Sequence, residues 1–289
     1  MNPGLFFLFV LASTVVTAQN NTVVVSKRVD TIHSAILNED RYLWVHIPDM
    51  AVGSSKKIYP VIYVLDGQVY FDTVNDILSR LSKETGKNAA TEMIVVGIGN
   101  IWERYRDYTP TNITSSPWVD IYTAPTTGGG NKFISFLDKE LFPHINATCP
   151  ASSTRILIGH SLGGLIAMDI LLNHSSMFNY YAALDPSMWW DDDEKLLHQS
   201  KAILTNNTFE KKSLFLAIAN TMDKDMDVAQ IKNDTSAKTV LIRPSLVLRG
   251  YIHANKRNKL KFDWKFYKEY HHMTVAPAAA YDALKFFIE

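Results

Sequence analysis

Short apolar runs recur along this chain and are separated by stretches with amphipathic, helix-like patterns. Several of the runs are almost continuously apolar, which is typical of strands buried on both faces of a parallel sheet. They lie at residues 61–65, 93–98, 155–158, 180–184, 214–219 and 262–267. Two earlier runs, 23–29 and 42–47, alternate apolar and polar residues and predict antiparallel strands at an edge.

Five stretches between the runs have the apolar spacing of helices: 73–82, 132–141, 162–172, 193–203 and 276–287. Strands that alternate with helices predict an α/β fold, with a mostly parallel central sheet and helices on both faces. The chain has 289 residues, 47% of them hydrophobic, and no internal repeat or low-complexity linker divides it. We therefore predict a single domain over residues 19–289.

The first residues have the pattern of a secretory leader. Residues 4–16 are almost wholly apolar, and Val16-Thr17-Ala18 resembles a small-residue cleavage site. This pattern predicts a signal peptide over residues 1–18 and a secreted or periplasmic protein. The apolar stretch is too short for a comfortable membrane span, so no stable membrane span is expected. The alternative is a buried N-terminal strand or helix.

Charge and cysteine content exclude several classes of partner. The 29 basic and 29 acidic residues balance, so no basic field exists to attract nucleic acid. Cys149 is the only cysteine, which excludes an intrachain disulfide and a Cys/His zinc motif. Nothing in the sequence indicates an oligomeric state.

The motif Gly159-His160-Ser161-Leu162-Gly163 falls between a predicted strand and a predicted helix. A serine on such a sharp turn has its hydroxyl raised above the sheet edge, and the glycines permit the close approach of strand and helix. We therefore predict Ser161 as a nucleophile. The alternative is an ordinary strand–turn–helix connection.

A serine hydroxyl needs a base to remove its proton. In sheets of this kind the partners follow in the order Ser, acid, His, which puts the base after the last strand. His272 is the predicted base, with His271 as the alternative.

The same order puts the acid after the strand at 214–219. The following loop contains several aspartates, which we rank in the order Asp227, Asp225, Asp223 and Asp234. The acid would fix the imidazole tautomer and stabilise its cation. Closely spaced carboxylates are also typical of a solvated loop or a calcium site, although EF-hand spacing is absent. No metal is predicted.

An oxyanion requires two preorganised donors. We predict the backbone N–H of Leu162, which follows the nucleophile, and that of Gln68, which follows the turn Asp66-Gly67.

Taken together, these segments resemble the putative esterase family, the esterase D-like α/β-hydrolases that include siderophore, feruloyl and S-formylglutathione esterases. The segments that carry the resemblance are 61–67, 104–110, 159–164 and 272–275. The resemblance implies an α/β-hydrolase fold without cofactor, Ser161 as nucleophile, and His272 rather than His271 as base. It also implies oxyanion donors at Leu162 and Gln68, and it allows a Ser–His pair without an acid.

The expected function is an exported serine hydrolase that cleaves carboxylic esters through an acyl-enzyme. The expected substrate is a small-molecule or carbohydrate-linked ester. Trp118, Trp189 and Trp190 are candidates to line an aromatic or sugar subsite, or else to pack in the protein. The alternatives are an acyltransferase with the same triad and a catalytically silent binding module of the same fold.

Overall fold

A computed structural model describes residues 27–48, 57–88, 91–100, 102–115, 119–120, 122–191, 194–222, 226–231, 234 and 236–289. The signal peptide predicted for residues 1–18 lies outside the described residues.

The centre of the described structure is an eight-stranded sheet with the order β1-β2-β4-β3-β5-β6-β7-β8. The strand β2 pairs antiparallel with β1 and β4, whereas β3 to β8 are parallel to one another. The bounds are β1 Lys27–Ser34, β2 Glu39–His46, β3 Tyr59–Val64, β4 Ile94–Ile98, β5 Ala151–His160, β6 Tyr180–Leu184, β7 Ser213–Ala219 and β8 Lys261–Tyr267. The predicted mostly parallel sheet is confirmed.

The outer strands differ from the inner ones in burial, as the sequence pattern requires. Every residue of β7 is buried, whereas β1 alternates between exposed and partly buried residues. The described part of β1 runs to Ser34, beyond the run predicted at 23–29, because Asn38 adopts φ 57° and makes the turn into β2 only there.

Helices cover both faces of the sheet. Their bounds are α1 Gly67–Thr85, α2 Arg104–Asp107, α3 Gly130–Phe136, α4 Phe142–Thr148, α5 Leu162–Asn173, α6 Lys195–Asn206, α7 Val228–Ile231, α8 Arg243–Ala254 and α9 Ala276–Ile288. One buried apolar cluster lies under α1 and α9, and the other lies under α3 to α6 and α8. None of the helices in the described part of the chain is long and apolar enough to cross a membrane.

The helices differ from the prediction in several segments, among them α1, which runs over Gly67–Thr85 rather than 73–82, and the short α2 and α7, which were not predicted. A π-helical turn, Leu137–Leu141, joins α3 to α4, so the helix predicted at 132–141 continues to Thr148. The helix α8 was not predicted, and it packs against α6 and β7.

The start of α1 touches the backbone of β4. A Cβ atom added at Gly67 would lie 2.5 Å from the carbonyl carbon of Gly97 and 2.6 Å from the nitrogen of Ile98. Real Cβ atoms do not approach backbone so closely, so only glycine permits this contact. The contact places the first turn of α1 at the carboxyl end of the parallel strands.

We predict that Gly67→Ala lowers the free energy of unfolding by about 1–3 kcal/mol, because backbone must move to admit the methyl group. Gly250→Ala is the control, since an added Cβ there meets no atom within 4 Å. The control in helix α8 should be neutral or stabilising by about 0.5–1 kcal/mol. Urea unfolding measures both, and equal midpoints for Gly67→Ala and wild type would contradict the close contact.

Candidate active site

Ser161 stands on a strained turn between β5 and α5. Its backbone has φ 61° and ψ −120°, in a region that side chains other than glycine rarely adopt. A Cβ at Gly159 would lie 2.1 Å from the Gly163 carbonyl oxygen, and one at Gly164 would lie 2.9 Å from Cα of Pro186. The two glycines therefore allow strand, turn and helix to pack tightly enough to present the serine hydroxyl.

The structure brings Ser161 and His272 together with an aspartate that the sequence analysis did not select. Ser161 Oγ lies 2.9 Å from Nε2 of His272, and Nδ1 of His272 lies 2.6 Å from Oδ2 of Asp185. A carboxylate only accepts hydrogen bonds, so Nδ1 carries the proton and Nε2 accepts from the serine. The other carboxylate oxygen of Asp185 accepts the Ala219 N–H at 2.9 Å.

This geometry corrects the predicted acid. Asp227 instead accepts the N–H of Gln230 at 2.9 Å at the start of α7, and Asp234 accepts from Ser236. Asp225 and Asp223 lie outside the described residues. The strand order explains the error: β6 lies directly beside β5, so a residue that follows β6 is one strand away from Ser161.

A signal for Asp185 exists in the sequence. It follows the apolar run Tyr180–Leu184 immediately, as Ser161 follows the preceding strand, and it too has positive φ, at 45°. The rule that places the acid one strand later directed attention to the wrong loop.

Backbone hydrogen bonds connect the serine turn to the segment that holds the acid. The N–H of Ser161 donates to Leu184 O at 3.0 Å, and the N–H of Ser187 donates to Ser161 O at 3.1 Å. The hydroxyls of Ser187 and Ser161 are 3.3 Å apart, and Ser187 is buried. Ser161 and Asp185 are thus fixed to one another through the main chain as well as through His272.

The two adjacent histidines differ in their surroundings. His271 is exposed, and its main chain bonds to Thr274 and Val275 at the entry to α9. The side chain of His272 is 33% exposed and that of Asp185 is 9% exposed. The imidazole therefore has one buried, charged side and one side open to a substrate.

The predicted oxyanion donors lie at the first turns of two helices. Leu162 begins α5, and Gln68 is the second residue of α1, so neither N–H has an acceptor within its own helix. The two helix starts are neighbours, since a Cβ at Gly163 would lie 3.5 Å from Leu65. The Gln68 side chain also exchanges two 3.3 Å hydrogen bonds with the main chain of Asn100. The placement agrees with the role expected for Leu162 and Gln68, which stays a prediction.

Arg104 ties the loop after β3 to the serine turn. Its Nε donates to both oxygens of Asp66 at 3.1 Å, and a terminal nitrogen donates to His160 O at 3.1 Å. Burial raises the pKa of Asp66, and the Arg104 guanidinium opposes this shift.

A second ion cluster anchors the short helix that carries Arg104. Asp107 is fully buried and bonds to Arg41 of β2 and to Arg106, and Glu39 pairs with both arginines. The position of Arg104 relative to the site therefore depends on charges contributed by β2, which lies between β1 and β4 in the sheet.

The side chain of His160 packs against the ring of His272. The ring is 5% exposed, and its centroid is 4.7 Å from that of His272. Its Nε2 lies 2.8 Å from His272 O, and its Nδ1 lies 3.0 Å from the hydroxyl of Tyr70. Burial, followed by the neighbouring His272, lowers the pKa of His160 from 6.5 to about 4.

A family model described as "Putative esterase" matches residues 34–272 of this chain. The chain belongs to the putative esterase family.

Individual relatives in this esterase family agree with that assignment. The chain is 31% identical over 163 residues to the ferri-bacillibactin esterase BesA of Bacillus subtilis, covering 53% of this chain and 56% of that protein. It is 28% identical over 151 residues to the siderophore triacetylfusarinine C esterase of Aspergillus fumigatus, covering 50% of this chain and 49% of that one. The chain thus spans about half the length of the curated relatives it matches.

A solved structure is similar to this chain over most of its length. The IroE-like serine hydrolase from Shewanella oneidensis superposes with a TM-score of 0.77 at 30% identity. The match covers 90% of this chain and 79% of that chain. The α/β-hydrolase fold is therefore shown over nearly the whole length.

The tryptophans expected to line a subsite lie in different surroundings. Trp190 is only 2% exposed, and its Nε1–H donates to Thr111 O at 3.2 Å, so it packs in the core, which is the alternative to a subsite role that the sequence left open. Trp189 is half-buried against the same core, with its ring 6.1 Å from that of Trp190. Trp118 lies outside the described residues.

Within the described ranges, no group of three or more His, Cys, Asp or Glu side chains is arranged to hold a metal ion. The calcium alternative involved Asp225 and Asp223, which are not among those residues.

We predict that the buried neutral state of His160 makes stability fall in acid. Its folded pKa of about 4 lies below the unfolded 6.5, so between these values the unfolded chain binds the extra proton. Stability present above pH 6.5 is lost as pH falls toward 4, by about 3 kcal/mol for this group. Urea unfolding of wild type and His160→Gln at pH 7 and pH 4 measures the difference, and identical pH dependence in both would contradict it.

Proposed function

We propose that this protein is a serine esterase that hydrolyses carboxylic esters through Ser161, His272 and Asp185. One observation carries the proposal: a continuous hydrogen-bonded chain runs from Asp185 through both nitrogens of His272 to Ser161 Oγ. A general base bonded to a serine hydroxyl, and itself oriented by a carboxylate, is the arrangement that activates a serine nucleophile. The esterase family and its siderophore esterase relatives support the same reaction class.

The geometry supports the following reaction steps. Ser161 Oγ attacks the ester carbonyl carbon while Nε2 of His272 takes the hydroxyl proton. The resulting imidazolium is stabilised by the Asp185 carboxylate, and the oxyanion accepts the N–H groups of Leu162 and Gln68. The tetrahedral intermediate then collapses as His272 returns the proton to the leaving alkoxide, which leaves an acyl group on Ser161.

Deacylation repeats these roles with water. His272 Nε2 removes a proton from water as its oxygen attacks the acyl carbonyl, and the same nitrogen then protonates Ser161 Oγ. Free acid and serine are regenerated. A bound alcohol in place of water would give acyl transfer, which is the alternative reaction with the same residues.

We propose a siderophore-type ester as the substrate class. The names of the two curated relatives support this choice, because each is an esterase of a siderophore. Large apolar side chains are exposed beside the proposed reacting groups: Val69 follows Gln68 and is 59% exposed, and Met273 follows His272 and is 75% exposed. Apolar surface at these positions fits an aromatic or aliphatic acyl group better than a charged one.

We predict that Ser161→Ala lowers kcat by several orders of magnitude and Asp185→Asn by about 10²–10⁴-fold. The first change removes the nucleophile, and the second removes the carboxylate that fixes the His272 tautomer. Hydrolysis of p-nitrophenyl esters from acetate to octanoate, and of ferri-bacillibactin, measures both.

Asp227→Asn is the matched control, since in the described part of the chain Asp227 bonds to Gln230 of its own loop. This variant should keep kcat within about twofold of wild type. Product analysis with an added alcohol separates hydrolysis from acyl transfer. Turnover that survives Ser161→Ala would refute the nucleophile, and a larger loss in Asp227→Asn than in Asp185→Asn would refute the acid.

A further inference from the structure

His160 belongs to the serine motif, yet the reaction steps above give its side chain no task. The ring is buried between α1 and the segment that carries His272. It lies 4.7 Å from the His272 ring, centroid to centroid, at an interplanar angle of 35°. It is therefore a buried imidazole in contact with the proposed general base.

The hydrogen bonds fix the tautomer of His160. The main-chain oxygen of His272 can only accept, so Nε2 of His160 carries the proton and donates to it at 2.8 Å. The neutral ring then accepts at Nδ1, where the hydroxyl of Tyr70 donates at 3.0 Å. A relay therefore runs from Tyr70 through His160 to the backbone of His272.

Burial and the surrounding charges keep His160 neutral. The titratable groups that face His160 are Tyr70 on α1, Arg104 on α2, Asp185 after β6, and His272 after β8. Burial is the largest cause that lowers the pKa of His160, and the charges of His272 and Arg104 act in the same direction, whereas Asp185 and the hydrogen bond to the His272 main chain raise it. Burial also raises the pKa of Tyr70, so its hydroxyl keeps the proton that it donates.

The neutral state of His160 matters because the proposed reaction places a positive charge on the adjacent His272 ring. His272 becomes an imidazolium in the proposed mechanism, and a second cation in ring contact would oppose that step. The donor to His272 O must therefore be strong enough to hold the backbone and yet carry no charge. A neutral imidazole with a fixed tautomer meets both requirements.

We propose that His160 is a positioning residue, which holds the main chain of His272 so that its Nε2 stays on Ser161 Oγ, and that Tyr70 sets the tautomer needed for this. The inference rests on the proposed esterase function. A merely structural histidine would affect stability, whereas a positioning residue affects the chemical step after the substrate has bound.

The test compares His160→Leu, His160→Gln and Tyr70→Phe with wild type. Leucine fills space without a donor, whereas the glutamine amide can donate to His272 O and accept from Tyr70. We expect His160→Leu to lower kcat by about 10–100-fold with KM within about twofold, as for a misplaced catalytic group. We expect His160→Gln to recover at least about tenfold of that loss, and Tyr70→Phe to lower kcat by about 3–10-fold.

Tyr281→Phe is the control, since the Tyr281 hydroxyl bonds to Glu84 on the surface. It should leave kcat unchanged. Two readouts need no ester turnover: the rate at which a fluorophosphonate labels Ser161, and the ¹⁵N shifts of His160. The shifts should show the Nε2–H tautomer in wild type and a mixture of tautomers in Tyr70→Phe. If His160→Leu does not fold, the other two variants carry the test.

Different outcomes overturn different claims. If wild type is labelled and folded His160→Leu is labelled at the same rate, the positioning role is refuted while the esterase stands. Equal losses in His160→Leu and His160→Gln, or a loss expressed in KM alone, also refute it. If wild type itself is not labelled, the proposed function falls, and the inference that rests on it falls too.

Discussion

The hydrogen bond between His272 and Asp185 joins two segments that are far apart in the sequence. The strands β7 and β8 and the helices α6 to α8 lie between them along the chain. Asp185 directly follows β6, and His272 follows β8, with β7 lying between them in the sheet. The end of β7 takes part through the Ala219 N–H, which holds the second oxygen of the carboxylate. The acid is thereby oriented by the sheet itself, so the imidazole it orients is placed relative to Ser161 by regular structure.

Three residues with a strained backbone lie at the same edge. Asp66, Ser161 and Asp185 all have positive φ, at 53°, 61° and 45°, and they follow β3, β5 and β6. Each such conformation costs roughly 1–3 kcal/mol outside glycine and persists only where the surroundings determine it. Here Arg104 holds Asp66, the Leu184 and Ser187 main chain holds Ser161, and His272 holds Asp185. At this edge the strained residues are therefore held by hydrogen bonds of the proposed site.

The sequence predicts the parts that local patterns determine. Continuous apolar runs located the inner strands, and the glycines around Ser161 together with the late His272 located two of the three side chains that the structure brings together. Asp185 was missed because the expected order of acid and base directed attention to the loop after β7, and the adjacency of β6 to β5 becomes known only from the sheet. The sequence left open whether Trp190 lines a subsite or packs, because a tryptophan in a loop shows the same local pattern in both cases, and its hydrogen bond to Thr111 becomes known only from the structure.

The central claim is that Asp185, rather than a carboxylate of the later loop, accepts the Nδ1 proton of His272. Proton NMR of the folded protein tests it most directly, because an imidazole N–H bonded to a buried carboxylate resonates far downfield of the backbone amide protons. We expect that signal in wild type and in Asp227→Asn, and we expect it to be absent in Asp185→Asn. A signal that persists in Asp185→Asn, or that disappears in Asp227→Asn, would contradict the account.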